Sequence, residues 1–131
     1  MQAITQHTYG GPEVLQLEET PPPVIAPDQL LVNVKANSAN PADWHIMRGT
    51  PFIARLSFGL FKPKEKGLGA DFAGLVEAVG KAVTGFKVGD RVFGENSQSG
   101  AFAAYTAVPA KACAHMPAGS GFLEMACVPI A

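Results

Sequence analysis

The sequence predicts a mainly β protein that folds as a compact antiparallel barrel with a few short helices. Short runs of alternating apolar and polar residues recur along the chain, as expected for half-buried strands. The 131 residues include 14 glycines and 11 prolines, which favour tight turns between short strands over long helices. Hydrophobic residues make up 47% of the chain and charged residues 16%, which is enough apolar material for one folded core.

The charge balance argues against two classes of partner. Ten basic and eleven acidic residues give a formal net charge of -1, so we expect no nucleic-acid partner and no membrane partner. The first seven residues lack the basic and then apolar pattern of an export signal, and no apolar run approaches the ~20 residues that span a bilayer. The predicted location is the cytoplasm.

The first third of the chain predicts three strands. Residues 3–8 and 14–19 alternate and are expected to form a hairpin, because the turn residues Tyr-Gly-Gly-Pro at 9–12 separate them. The proline run at 21–23 indicates a loop or an edge. Residues 29–39 contain the clearest half-buried strand.

A short helix is predicted after residue 39. Asn40 is a good N-cap, Pro41 suits the first helical position, and Asp43 suits the positive end of the helix dipole. The helix is expected to run through Met47 and to end at Gly49.

The segment 52–61 predicts a second short helix. Phe52, Leu56 and Leu60 stand at i, i+4 and i+8, which would place them on one helix face. A basic loop follows, which we expect to be solvated; its lysines are Lys62, Lys64 and Lys66.

The remaining pattern returns to strands. We expect strands at residues 72–80, 90–94, 101–108 and 113–116, and the beginning of a helix at 121–127.

Four motifs follow one another along the chain, at residues 9–15 (Tyr-Gly-Gly-Pro-Glu-Val-Leu), 40–43 (Asn-Pro-Ala-Asp), 69–80 and 88–92 (Val-Gly-Asp-Arg-Val). In this order they resemble the medium-chain dehydrogenases/reductases. The resemblance implies that the predicted barrel is the GroES-like catalytic domain of that family. The most similar branch is that of the zinc-free quinone oxidoreductases and the related NADP-dependent alcohol dehydrogenase-like proteins.

The chain departs from the zinc-dependent members of that family at three places. They carry Cys where Asn40 stands, and Gly-His-Glu where this chain has Gly-Ala-Asp at 69–71. Their cysteine-rich lobe corresponds to residues 93–100, which contain no cysteine. The other potential ligands show no zinc-type spacing, and we expect Cys113 and Cys127 to be reduced and buried. The sequence therefore predicts no metal site.

Complete members of the family also have a Rossmann domain, and this chain shows no G-x-G-x-x-G pattern. We expect residues 1–120 to form the catalytic domain and residues 121–131 to begin the helix that leads to a missing cofactor-binding domain. The resemblance implies NADPH or NADH as the cofactor of the parent protein, with none bound to this fragment alone. The resemblance also permits a homodimer of the parent protein.

Two residues are candidates for contact with the cofactor in the cleft between the domains. The Asn40 amide can both donate and accept a hydrogen bond to nicotinamide or substrate, although the residue equally suits a pure capping role. Trp44 can line the same cleft, or it can serve ordinary packing.

Four residues are candidates for the substrate pocket. His45 titrates near neutral pH and can relay a proton, although a surface or hydrogen-bonded histidine is the commoner situation. Phe52, Leu56 and Leu60 would offer an apolar wall to a small hydrophobic substrate, and ordinary packing under the barrel mouth is the alternative. Several zinc-free relatives have a tyrosine just after the counterpart of Gly49, and this chain has none there, so no catalytic residue is assigned.

Two function hypotheses follow. The first is the catalytic part of an NAD(P)H-dependent reductase that passes hydride to a quinone or an α,β-unsaturated carbonyl without zinc. The second is a stand-alone GroES-like binding or assembly module without enzymatic activity.

Overall fold

Two antiparallel sheets form the framework of the molecule. The computed structural model describes residues 1–98 and 100–130, with all side chains in those ranges except that of Phe58. Two of the predicted segments contain a residue outside the described ranges. That residue is Ser99 in the segment 93–100 and Ala131 in the segment 121–131. The strands are β1 (Gln2–Thr5), β2 (Gln16–Glu19), β3 (Gln29–Ser38), β4 (Asp71–Val79), β5 (Arg91–Glu95), β6 (Tyr105–Pro109) and β7 (Cys113–His115). The α-helices are α1 (Pro41–Arg48), α2 (Arg55–Phe58) and α3 (Phe122–Met125).

The larger sheet has the strand order β6-β3-β4-β5-β7, and β1 pairs with β2 in the smaller one. The central pair is β3 with β4, whose register shifts twice and bends the two strands. Gly74 lies opposite Val34, and a Cβ atom at this position would collide with the carbonyl oxygen of Asn33. The glycine is therefore required by the close approach of the two backbones.

The segment 101–104 joins the two sheets. The amide of Ile4 donates to the carbonyl of Phe102 at 2.8 Å, and the amide of Ala104 donates to the carbonyl of Gln2 at 3.0 Å. The strand predicted at 101–108 consequently begins only at Tyr105, because the residues before it hydrogen-bond to β1. These hydrogen bonds connect β1 of the smaller sheet to the segment that leads into β6 of the larger one.

The barrel interior is filled by side chains from the larger sheet and from the connecting segment 101–104. Its fully buried members are Leu30, Val32, Phe72, Val76, Val92, Ala101 and Val108. A second cluster lies where α3 packs on the sheet, and it contains Ala36, Ala73, Met116 and Ala126. The boundary between the predicted catalytic domain, residues 1–120, and the predicted connecting helix, residues 121–131, stays a prediction.

The predicted N-terminal hairpin is confirmed with shorter strands. The first strand ends at Thr5 instead of residue 8, and the second begins at Gln16 instead of residue 14. The later start follows from Pro12–Val14, which forms a 3-10 turn in which the amide of Leu15 donates to the carbonyl of Pro12.

The first predicted helix is confirmed and the second is wrong in form. The helix α1 ends at Gly49, which has a φ of +65° and thus adopts the left-handed conformation that favours glycine. The segment 52–61 contains a 3-10 turn at Phe52–Ala54 and the four-residue α2, and a glycine at residue 59 ends the helix before a continuous face can form.

The predicted mainly β fold class is confirmed: the described residues form two antiparallel sheets with a few short helices, and they contain no Rossmann domain. The lysines of the basic loop are exposed, as expected. In residues 1–98 and 100–130, no helix has the length and apolar character needed to cross a bilayer.

The burial of Phe72 gives a stability prediction. Its side chain has no exposed surface, so Phe72→Ala should lower the free energy of unfolding by about 3–5 kcal/mol. Phe61 is 90% exposed, and the control Phe61→Ala should change it by less than about 0.5 kcal/mol. Urea denaturation of both variants measures the difference. Equal effects would contradict the position of the core.

Candidate functional site

Asn40 stands at the junction between β3 and α1. Its backbone is extended, with φ -120° and ψ 162°, and its carbonyl oxygen accepts hydrogen bonds from the amides of Asp43 at 3.0 Å and Trp44 at 3.3 Å. The structure therefore places Asn40 at the N-cap position of α1, as the capping interpretation expected. The helix begins here because Pro41 follows, with no amide hydrogen to satisfy.

The Asn40 side chain extends toward the beginning of β4. Its amide nitrogen lies 3.0 Å from Oδ2 of Asp71 and 3.5 Å from Oγ of Ser38. An ionised carboxylate can only accept hydrogen bonds, so the NH₂ group must face Asp71 and the amide oxygen must face away. Asn40 is half-buried, and the hydrogen bond to Asp71 holds its side-chain amide in one orientation at the surface.

Asp71 has no exposed surface, and its Oδ2 atom is the centre of a hydrogen-bond cluster. The amide of Ile130 donates to this atom at 3.2 Å, in addition to the Asn40 amide. The Ser38 hydroxyl lies 3.3 Å from the same atom and 2.8 Å from the carbonyl oxygen of Ala126, and its one proton can serve only one of them. The Oδ1 atom of Asp71 is buried without a hydrogen-bond partner in the described part of the chain.

Asp43 is the second buried carboxyl group beside Asn40. Its Oδ2 atom accepts a hydrogen bond from the backbone N–H group of Asn40 at 2.8 Å, which is one arm of a capping box. Burial raises the pKa of Asp43, and the negative charge of Asp71 raises it further, while the backbone amides of Asn40 and Ala70 oppose both effects. Asn40 therefore lies between two buried carboxyl groups, those of Asp43 and Asp71.

Asp71 has no role in the sequence-based predictions, where it occurs only within the Gly-Ala-Asp segment at 69–71. The signal was present: a charged residue begins a strand whose next five residues, 72–76, are all apolar, and a buried charge requires hydrogen-bond partners. The identity of those partners depends on elements far apart in the sequence, so the pattern alone did not reveal them.

Trp44 and His45 lie on the exposed side of α1. The Trp44 side chain is 47% exposed, and its ring contacts that of His45 edge to face at 5.0 Å between centroids. The Arg48 guanidinium lies 4.9 Å from the Trp44 ring centroid. The interpretation of Trp44 as a packed residue is therefore only partly met, because half of its surface faces solvent.

Phe52, Leu56 and Leu60 are all exposed, with 66%, 69% and 43% of their surface accessible. The alternative that they pack under the barrel mouth is therefore wrong. The Arg55 guanidinium stacks over the Phe52 ring at 5.0 Å and over the Tyr9 ring at 4.5 Å, which holds this segment against the barrel. All three apolar side chains are open to solvent.

The predicted site residues lie outside two cavities found in the described part of the chain. A cavity of about 610 Å³ lies between the two sheets, beside Thr5, His7 and Glu18, and a cavity of about 410 Å³ is lined by Ile46, Ser57 and neighbouring residues. Neither is lined by any of the six predicted residues, which are Asn40, Trp44, His45, Phe52, Leu56 and Leu60.

The described residues show no metal centre. No three histidine, cysteine, aspartate or glutamate side chains within ranges 1–98 and 100–130 are close enough to hold an ion together. Ala70 offers only a buried methyl group, which cannot bind a metal. Burial raises the pKa of the Cys113 thiol to about 12, which disfavours the thiolate that a metal would need. Both cysteines are free thiols; the expectation that both are buried is wrong, because Cys113 is half-buried and Cys127 exposed.

Comparison with known proteins identifies a family. Residues 26–118 match the family described as the alcohol dehydrogenase GroES-like domain. Quinone oxidoreductase from Lama guanicoe is 42% identical over 106 residues, which cover 80% of this chain and 30% of that protein. The 2-methylene-furan-3-one reductase of Solanum lycopersicum is 37% identical over 144 residues, covering the whole chain and 34% of that protein.

Solved structures show the same relationship. Quinone oxidoreductase from Coxiella burnetii superposes with a TM-score of 0.86 at 30% identity, over 99% of this chain and 41% of that one. The Escherichia coli quinone oxidoreductase complexed with NADPH gives a TM-score of 0.82 at 33% identity, over 96% and 36%. The chain thus spans about a third of the length of the curated relatives it matches.

The raised pKa of Asp43 gives a prediction for the pH dependence of stability. A carboxyl group whose pKa is higher in the folded state than its ordinary value of 3.8 stabilises the fold fully below that value, and loses this contribution as the pH rises through the folded pKa. Asp43→Asn keeps an acceptor oxygen for the backbone N–H group of Asn40, but its side chain cannot ionise. The variant should therefore gain stability relative to the wild type as the pH rises from about 4 to about 7.

Urea midpoints across that range measure the effect. Asp28 is exposed, so Asp28→Asn is the matched control, and its difference from the wild type should change less with pH. A difference between Asp43→Asn and the wild type that stays constant with pH would contradict the raised pKa.

Proposed function

The chain belongs to the alcohol dehydrogenase GroES-like domain family, and from this premise we propose that it is the catalytic domain of an NAD(P)H-dependent oxidoreductase. The proposed reaction transfers hydride to a quinone or to an α,β-unsaturated carbonyl compound, without zinc. The longer relatives named above, quinone oxidoreductases and a furanone reductase, support this class and favour it over a stand-alone assembly module.

The observation that carries the proposal is the oriented amide of Asn40 on an open surface. A nicotinamide ring bears a carboxamide with its own donors and acceptor, and a fixed side-chain amide is a suitable partner for it. Trp44 is exposed on the same helix and offers a flat apolar face. We assign Asn40 and Trp44 to cofactor binding on these grounds.

The proposed substrate side consists of His45 and the apolar side chains that follow α1. Phe52, Leu56 and Leu60 are exposed, although burying them would be favourable, so a second surface or a hydrophobic acceptor would gain free energy by covering them. A quinone or an enone has the apolar body that such a surface favours.

The chemistry that the reduced nicotinamide supplies is a hydride, whose two electrons reduce the acceptor while the ring is oxidised. The acceptor then takes one proton, which solvent can provide. The residues of this chain would bind and orient the reactants and exclude water from them, and these contributions need no Lewis acid. We propose the zinc-free route because Asn40, Ala70 and Asp71 stand where a thiolate, an imidazole and a glutamate would be needed.

Further features of the parent protein belong to the same proposal. A Rossmann domain that follows the segment 121–131 would hold the remainder of NADPH or NADH, and the parent would act in the cytoplasm. A homodimer is compatible with the family and is part of the proposal to be tested.

Reduction of a benzoquinone or an enone by the longer protein should depend on NADPH.

Asn40→Ser retains a good helix N-cap but loses the amide, so it should raise the dissociation constant for NADPH about three- to tenfold. Asn37→Ser, three residues earlier on β3, is the matched control and should leave it within about twofold. Fluorescence titration measures both constants. Unchanged NADPH affinity in Asn40→Ser would contradict the assignment of this residue.

Metal analysis tests the zinc-free route. Purified longer protein should retain full quinone reduction after treatment with a chelator and should contain no stoichiometric zinc. One equivalent of zinc that survives the chelator, or activity that returns only when zinc is added, would overturn this part of the proposal.

A further inference from the structure

We propose that Asp71 is a positioning residue that fixes the orientation of the Asn40 amide toward the nicotinamide half of the cofactor. The inference rests on the proposed function, since it concerns the same site. It adds a residue that does not contact the cofactor itself and acts through Asn40.

The chemical reason is that an asparagine amide has two nearly isosteric orientations. Rotation by half a turn exchanges a donor for an acceptor at the surface. The acceptor-only carboxylate of Asp71, 3.0 Å from the Asn40 nitrogen, selects the orientation in which the amide oxygen faces away. That oxygen has two lone pairs, so it can support the helix N-terminus and still accept a hydrogen bond from an N–H group of the cofactor.

Asp71 is itself held firmly enough to impose this orientation. It pairs with Ser38 of β3 on one side and with Glu95 of β5 on the other, so its backbone is fixed within the sheet. Its side chain has no exposed surface and receives a second hydrogen bond from the amide of Ile130. A hydrogen bond to an ionised acceptor is roughly twice as strong as a neutral one, which strengthens the selection.

Stability alone does not account for a carboxylate at this position. Its Oδ1 atom is buried without a partner in the described residues, and Asp43 places a second buried carboxyl group nearby. An apolar side chain of similar volume often serves a fold as well as a buried charge or better. The charge is therefore best explained by what it does to Asn40.

A thermodynamic cycle in the longer protein tests the inference. NADPH and adenosine 2′,5′-bisphosphate, which lacks the nicotinamide half, are titrated against the wild type, Asn40→Ser, Asp71→Ala and the double variant. Asp71→Ala should weaken NADPH binding about three- to tenfold and leave bisphosphate binding within about twofold. In the Asn40→Ser background the same substitution should have little further effect, because Asp71 acts through Asn40.

Further variants keep the test decisive. Asp71→Asn can present an amide oxygen to Asn40, so it should bind NADPH better than Asp71→Ala. If Asp71→Ala does not fold, Asp71→Leu replaces it in the cycle, because leucine has a similar volume and offers Asn40 no acceptor. Thr106→Val removes another buried polar group, the acceptor of the Asn96 amide at 2.8 Å, and should leave the ratio of the two affinities unchanged.

The possible failures are distinguishable. Absence of NADPH binding by the wild type overturns the proposed function. Normal binding by the wild type together with equal losses for both ligands in Asp71→Ala, or with additive effects in the double variant, overturns the positioning role alone.

Discussion

The buried carboxylate of Asp71 is the constraint on which the geometry of this domain's functional surface depends. A charge without exposed surface needs hydrogen-bond donors, and here they come from the start of α1 and from the amide of Ile130. With Ser38 at the end of β3, these donors surround the first residue of β4. One side chain thus connects the junction between β3 and α1, the beginning of β4 and the backbone at Ile130, and it does so beside the residue proposed to bind the cofactor.

The rest of the barrel makes this arrangement rigid. The pairing of β3 with β4 places Ser38 opposite Asp71, and it tolerates no side chain at Gly74 because the two backbones approach too closely there. Fully buried apolar side chains such as Leu30 and Phe72 fill the interior behind it. The polar cluster lies at the ends of these strands, where the core no longer excludes polar groups and α1 begins.

The apolar residues of the chain serve two different purposes. Those of the sheets, such as Val32 and Val76, are buried and hold the barrel together. Those that follow α1, such as Phe52 and Leu56, remain exposed because a 3-10 turn and a four-residue helix carry them along the outside. Under the proposed function, this second group belongs to a surface that becomes buried only against a cofactor domain or a substrate.

The sequence by itself determined the fold class, the family, the helix between Asn40 and Gly49, and the absence of the usual zinc ligands. These features depend on local patterns, namely alternation, glycine and proline positions, helix capping and residue identity at aligned motifs. Only the tertiary structure decided that residues 101–104 join β1 and that Asp71 faces Asn40. The physical reason is that these features depend on hydrogen bonds between segments far apart in the chain, which no local pattern specifies.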